Sequence, residues 1–154
     1  MKNPLLALAL LVVALILPAG CANQGAVVVT GLRVEVTELQ RAADGAVVVR
    51  WHLVNPNVSP YLLMEVKNTL YLNGSLVGTT FDADPFGVAA RNQSAPKESR
   101  LETAGPAAER LVADAVGAAA VAYRVDSNVT VRILDEAKER GELSNSGTVR
   151  VVGK

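Results

Sequence analysis

From Val27 onward the apolar residues of this chain recur at every second position, and that period limits what it can fold into. Leu32, Val34 and Val36 alternate with Arg33, Glu35 and Thr37. A strand sends successive side chains to opposite faces, so the pattern makes one dry face and one wet face. Val47, Val49, Trp51 and Leu53 repeat it, with Val48, Arg50, His52 and Val54 opposite. Trp51 is the best single candidate for a core anchor, because a buried indole contributes more apolar area than any other side chain. This second strand must stop at Asn55-Pro56-Asn57. Proline brings no N–H to a ladder, and asparagine side chains close turns.

A third strand is expected from about Leu62 to Leu72, with Met64, Val66, Asn68, Leu70 and Leu72 sharing a face. Asn73-Gly74 then marks a tight hairpin, since both residues accept positive φ. The return strand is expected over Ser75 to Phe81, and 82–93 reads as a loop. Pro96 to Thr103 reads as a charged edge strand, whose Lys97, Glu98, Arg100 and Glu102 discourage pairing with other chains. After Gly105-Pro106 the composition becomes alanine-rich. Leu111, Val112, Ala115, Val116 and Ala119 stand at helical spacing, which predicts one helix over Ala107 to Ala122, softened at Gly117. Tyr123 to Leu134 returns to strand. Residues 135–142 read as a solvated loop or turn of helix, 144–147 as a turn, and Thr148 to Val152 as the last strand. About seven strands and one short helix at this spacing predict an all-β sandwich.

The chemistry available to such a body is narrow. The 154 residues carry 15 basic and 15 acidic side chains, without the basic excess of a nucleic-acid binder. Aromatics are 4% of the chain, too few for stacking platforms. One Cys and one His exclude a disulfide framework and most structural zinc sites. His52 is the only possible imidazole base, and no Gly-x-Ser-x-Gly elbow or glycine-rich phosphate loop accompanies it. It reads as a surface or rim residue. Asp82-Ala83-Asp84 is too short for a calcium loop. No catalytic residue, cofactor site or metal site is therefore expected.

Before the alternating region stands a different kind of segment. Lys2 is followed by an unbroken apolar run from Leu5 to Leu17. As a helix that run would reach only ~20 Å, short of a hydrocarbon core ~30 Å thick. A positive start, a short apolar centre and small residues afterwards match a secretory signal peptide over 1–20. Leu17-Pro18-Ala19-Gly20-Cys21 resembles the lipobox of bacterial lipoproteins, with its leucine four places before the cysteine instead of three. That resemblance implies cleavage before Cys21 and acylation of Cys21 with palmitate-type chains. It also implies a lipid-anchored protein of the bacterial cell envelope. Ala22 in place of an aspartate favours the outer membrane, facing the periplasm. The alternative is an ordinary signal peptidase cutting after Ala22. Residues 21–26 then form the lipidated Cys and a short tether, and 27–153 the sandwich domain.

The order of features within 27–153 is itself recognisable. A strand ending in Asn55-Pro56-Asn57, the Leu70-Tyr71-Leu72-Asn73-Gly74 hairpin, and a late Tyr123, Val129-Thr130-Val131 and Gly147-Thr148-Val149 set occur together. In this the chain resembles the late embryogenesis abundant (LEA) type 2 family, with its water-stress and hypersensitive-response (WHy) domain. The resemblance implies an immunoglobulin-like or fibronectin type III-like sandwich and no catalytic residues. It implies stress or desiccation protection through contacts with client proteins or membrane. The other reading is an accessory module of an envelope complex, docking a partner by strand addition to the 96–103 edge.

Overall fold

The computed structural model describes residues 29–133 and 137–153. The expected signal peptide, Cys21 and the tether over 21–26 lie outside the described residues. The elements are β1 (Arg33–Arg41), β2 (Val47–Asn55), β3 (Tyr61–Leu72), β4 (Ser75–Asp82), β5 (Phe86–Val88) and β6 (Asn92–Gln93). They continue as β7 (Lys97–Arg100), β8 (Glu102–Thr103), α1 (Pro106–Asp114), β9 (Val121–Ile133) and β10 (Ala137–Gly153). The fold is all-β with one short helix among the described residues.

The strands hydrogen-bond in the order β6-β2-β1-β10-β9-β3-β4-β8, with β7 also on β2 and β5 also on β3. Two segments carry the ladder from one group of strands to the other. β10 pairs antiparallel with β9 over 137–149, then parallel with β1 over 150–153. Residues 97–100 pair with β2, and after the buried Leu101 residues 102–103 pair with β4. The buried faces of both groups share one core of Val, Leu and Trp51, with α1 adding Ala108 and Val112. The registers also define two ends. Arg33, Val54, Leu62 and Arg132 lie at the end where the chain arrives from its N-terminus; Arg41, Val47, Leu72 and Val149 lie at the distal end.

Alternation held where the ladders are regular and failed at bulges. β2 is buried at Val47, Val49, Trp51 and Leu53, as its spacing predicts. In β3 a bulge between Leu63 and Glu65 rotates Met64 out of the inner face, and Leu63 takes its place. Asn68 does face inward. It accepts from the Ser127 hydroxyl at 2.7 Å and donates to Thr80 Oγ1 at 3.1 Å, a buried polar row across β4, β3 and β9. A polar row in an aliphatic core resists slippage of register, because any shift would leave its members unpaired. Asn73 and Gly74 take φ 48° and 82°, the hairpin their sequence predicts.

The expected helix over Ala107 to Ala122 is shorter. It ends at Asp114, and Gly117 adopts φ 83° and donates its N–H to Val151 O. A left-handed residue cannot continue a right-handed helix. The charged segment 137–142 and the Ser-Asn-Ser-Gly segment 144–147 are strand, not loop and turn. Charge is no obstacle there, since only one strand face meets the core. Asn145 uses its amide to bind Val34 O at 2.9 Å, and Gly147 sits under the Tyr123 ring, where a Cβ would meet Cε1 at 3.0 Å. The loop over 82–93 contains β5 and β6, and the expected 96–103 strand is divided into β7 and β8, which gives ten strands among the described residues instead of about seven.

Tyr123 ties the two groups of strands together, its hydroxyl oxygen accepting the Val36 N–H at 3.2 Å. Burial pushes the phenol above its ordinary value; the Val36 hydrogen bond opposes this and the charge of Glu35 adds to it. The folded state thus favours neutral tyrosine. Its contribution is whole below about pH 10, the unfolded value, and is lost as pH rises through the folded one. Tyr123→Phe is expected to cost about 1–2 kcal/mol at neutral pH by orphaning the Val36 N–H. It should also flatten the alkaline fall in stability, read from urea unfolding at a series of pH values; an unchanged alkaline slope would contradict this.

Candidate functional site

The turn singled out by the sequence is a knot. Asn55 closes β2 and is completely buried. Its Nδ2 donates to the carbonyl oxygens of Ser59 at 2.8 Å and Ala89 at 3.0 Å, and its Oδ1 accepts the Asn57 N–H at 3.0 Å. Asn57 reaches the other way. Its Nδ2 donates to Thr30 O at 3.0 Å, and its carbonyl accepts the Arg91 N–H at 2.9 Å. Pro56 packs over Gly31, where φ is 90° and a Cβ would stand 3.3 Å from the Pro56 ring. Three separate stretches, 30–31, 55–59 and 89–91, are thereby fastened into one body.

The arriving chain is pinned a second time on β10. A Cβ built on Gly141 would fall on Val29 Cγ2, so the glycine is the notch that receives Val29. Val29 is 8% exposed, whereas Val58, at the tip of the knotted loop, is 72% exposed. The arrangement fixes where the N-terminal chain meets the domain and which loop stands beside it.

His52 lies on the outer face of β2, its Nε2 3.2 Å from Glu35 Oε2. Arg33 Nε donates to the other Glu35 oxygen at 2.7 Å. That hydrogen bond holds the Glu35 carboxyl below its usual range; burial works against it, and the charges of Arg33 and His52 support it. Among the described residues no group of three or more His, Cys, Asp or Glu side chains is gathered as a metal would require. Among them, too, no helix is long and apolar enough to cross a membrane.

Shallow grooves lie on the surface of the described residues, among them two of about 360 Å³ each. The first crosses the outer faces of β4, β3, β9 and β10, with Glu65, Lys67, Phe81, Asn128, Thr130 and Arg140 along it. Register sets Phe81 beside Lys67 and Lys67 beside Asn128. Phe81 is 61% exposed. Alternation counted from Val77 would have buried it. Instead the ladder shifts where Leu70 pairs with Gly78 but Tyr71 pairs with Leu76, so Val77 and Thr80 point inward and Phe81 outward. The one available signal was Gly78 in mid-strand, which marks bulges and close approaches. Here a Cβ would collide with the Glu102 carbonyl of β8.

The second groove separates 81–84 from 96–100. Lys97 crosses it to Asp82 at 3.0 Å, with its ammonium 4.7 Å from the Phe86 ring, which in turn meets Trp51 edge-on at 6.0 Å. The edge strand expected over 96–103 is two short strands, 97–100 on β2 and 102–103 on β4, each with one strand partner among the described residues.

No protein-family model matches this sequence, and no curated protein matches it. Among solved structures, a protein from Archaeoglobus fulgidus is similar at 16% identity and TM-score 0.45, over 76% of this chain and 92% of that one. AT1g01470 from Arabidopsis thaliana is similar at 13% identity and TM-score 0.48, over 79% of each chain. A protein assigned to the late embryogenesis abundant class, At2g46140.1, is similar at 12% identity and TM-score 0.49, over 80% of this chain and 73% of that one.

Proposed function

We propose that this chain is a non-enzymatic protein of the bacterial cell envelope, anchored by acyl chains on Cys21. In this reading its domain is a fibronectin type III-like sandwich of the LEA type 2, WHy kind, protecting client proteins or membrane as water is lost. The observation that carries the reading is the Asn55-Pro56-Asn57 motif, which is not a casual turn. Every polar group of the Asn55 amide is used, and the motif holds the arriving chain to the domain. The lipobox-like Leu17 to Cys21 segment supports the anchor, since two or more acyl chains hold a protein on a bilayer stably.

Two measurements test this. Cys21→Ser is expected to move the protein from the membrane to the soluble fraction; a variant that stayed with the membrane would remove the anchor. Residues 22–154 are expected to lower the aggregation of a client enzyme on drying, relative to an unrelated sandwich domain at equal mass. Equal aggregation would remove the protective role.

A second reading, an accessory module that accepts a partner strand, is favoured by one observation. The side of 97–100 turned away from β2 looks onto the groove bounded by 81–84. Crosslinking in membranes separates the two: a single stoichiometric partner supports the module, and a spread of clients the protective role.

A further inference from the structure

We infer that the knotted end of the domain rests on the bilayer, with the Val58 loop as the apolar contact and Arg91, Arg132 and Lys138 facing lipid headgroups. This rests on the proposal that Cys21 is acylated, and it deepens that proposal by giving the domain one orientation.

The length of chain before the domain supplies the first argument. Seven residues separate Cys21 from Val29, eight Cα–Cα steps along the chain. Eight Cα–Cα steps would span ~16 Å as a random coil and no more than ~29 Å when fully stretched. Val29 is seated against Gly141, and Thr30 and Gly31 touch Asn57 and Pro56 directly. The loop over 56–59 therefore lies where the tether begins. The distal end is eight strand residues from Gly141, at Val149, or ~27 Å at ~3.4 Å per residue. For that end to meet the membrane the tether would have to run almost taut along the whole domain. The knotted end needs no stretching.

The side chains at that end supply the second argument. Val58 is the most exposed of the large apolar residues among those described, and it stands at a loop tip, where nothing in the fold needs it. Arg91 is bound through its N–H to the same loop and is exposed, with φ 53°. Arg132 and Lys138 are direct neighbours across β9 and β10, both exposed, with Leu62 beside Arg132. Like charges set opposite each other repel. Neither has a carboxylate partner among the described residues, and an anionic lipid surface would relieve that repulsion. An exposed isopropyl group on the loop bound by Arg91, with a basic pair at the same end of β9 and β10, fits a headgroup layer, apolar tip inward and charges at the phosphates.

The test uses the full acylated protein in vesicles of phosphatidylethanolamine and phosphatidylglycerol with brominated acyl chains, which quench tryptophan on contact. Trp51 is completely buried and gives a constant background. Val58→Trp is expected to lose severalfold more emission than Leu76→Trp, which places the same ring on the distal hairpin, at a site 46% exposed. The unaltered protein provides a check without substitution: amides of 57–59 and 90–92 should exchange more slowly on vesicles than in detergent, and those of 73–76 should not. Equal quenching at both positions, or unchanged exchange at the knotted end, in protein that floats with the vesicles would overturn the orientation alone. Protein that carries no acyl mass on Cys21 and does not float would overturn the anchor and the orientation together.

Discussion

Trp51→Ala is expected to cost about 4 kcal/mol of folding free energy, as for a large aromatic truncated in a core that cannot collapse around the void. The site leaves little room for relaxation. Trp51 is completely buried and meets Phe86 edge-on, while its Nε1 donates to Ser99 Oγ at 3.0 Å. Ser99 belongs to β7 and is itself buried, so the indole joins β2 to the segment that carries the ladder onward to β4. Trp51→Phe should cost less, about 1–2 kcal/mol, because most of the volume remains and the principal loss is the partner of the Ser99 hydroxyl. Urea unfolding of the two variants checks both values. Equal losses would mean that the hydrogen bond, not the packing, dominates.

Asn55→Ala is expected to cost about 3 kcal/mol, since it orphans two carbonyls and one N–H at a buried position. Asn55→Asp gives a sharper result with a definite sign. A carboxylate can still accept from the Asn57 N–H, but it points an oxygen where Asn55 directs its amide protons at Ser59 O and Ala89 O. Burial and two facing carbonyls raise the pKa of such a group in the folded state, so its protonated form is favoured there. The stability of the variant should therefore be greatest at acid pH and fall as pH rises through the folded value. Unfolding curves measured between about pH 4 and pH 8 read this directly. An Asn55→Asp variant whose stability relative to the parent does not vary with pH would show that the amide protons are not what holds the knot.

The residues that mattered most were visible beforehand to different degrees. Trp51 and the dry face of β2 could be read from alternation, because the bulge in its ladder with β1 places the extra residue in β1, between Val36 and Glu38, and leaves β2 regular. Asn73-Gly74 was readable because positive φ is a property of the residues themselves. The Asn55 turn could be located but not explained: apart from Ser59, its partners Thr30, Ala89 and Arg91 come from two stretches far from it in the chain. The direction of Phe81 could not be read because it depends on a bulge in the pairing with β3; Gly78 hints at an irregularity, but not at which side chains it turns outward.

What the sequence by itself determined was the period, the turns and the length of chain between Cys21 and the domain. These follow from single residues and their immediate neighbours: side-chain shape, proline's missing N–H, glycine's freedom. Tertiary structure alone decided that 137–153 forms one long strand serving two neighbours and that 97–103 is shared between β2 and β4. It also decided that the Asn55 loop stands at the point where the chain arrives. Each of these is a pairing between residues far apart in the chain, where backbone groups of any composition can hydrogen-bond. The choice among partners falls to whichever arrangement buries one common core and leaves the fewest polar groups unpaired.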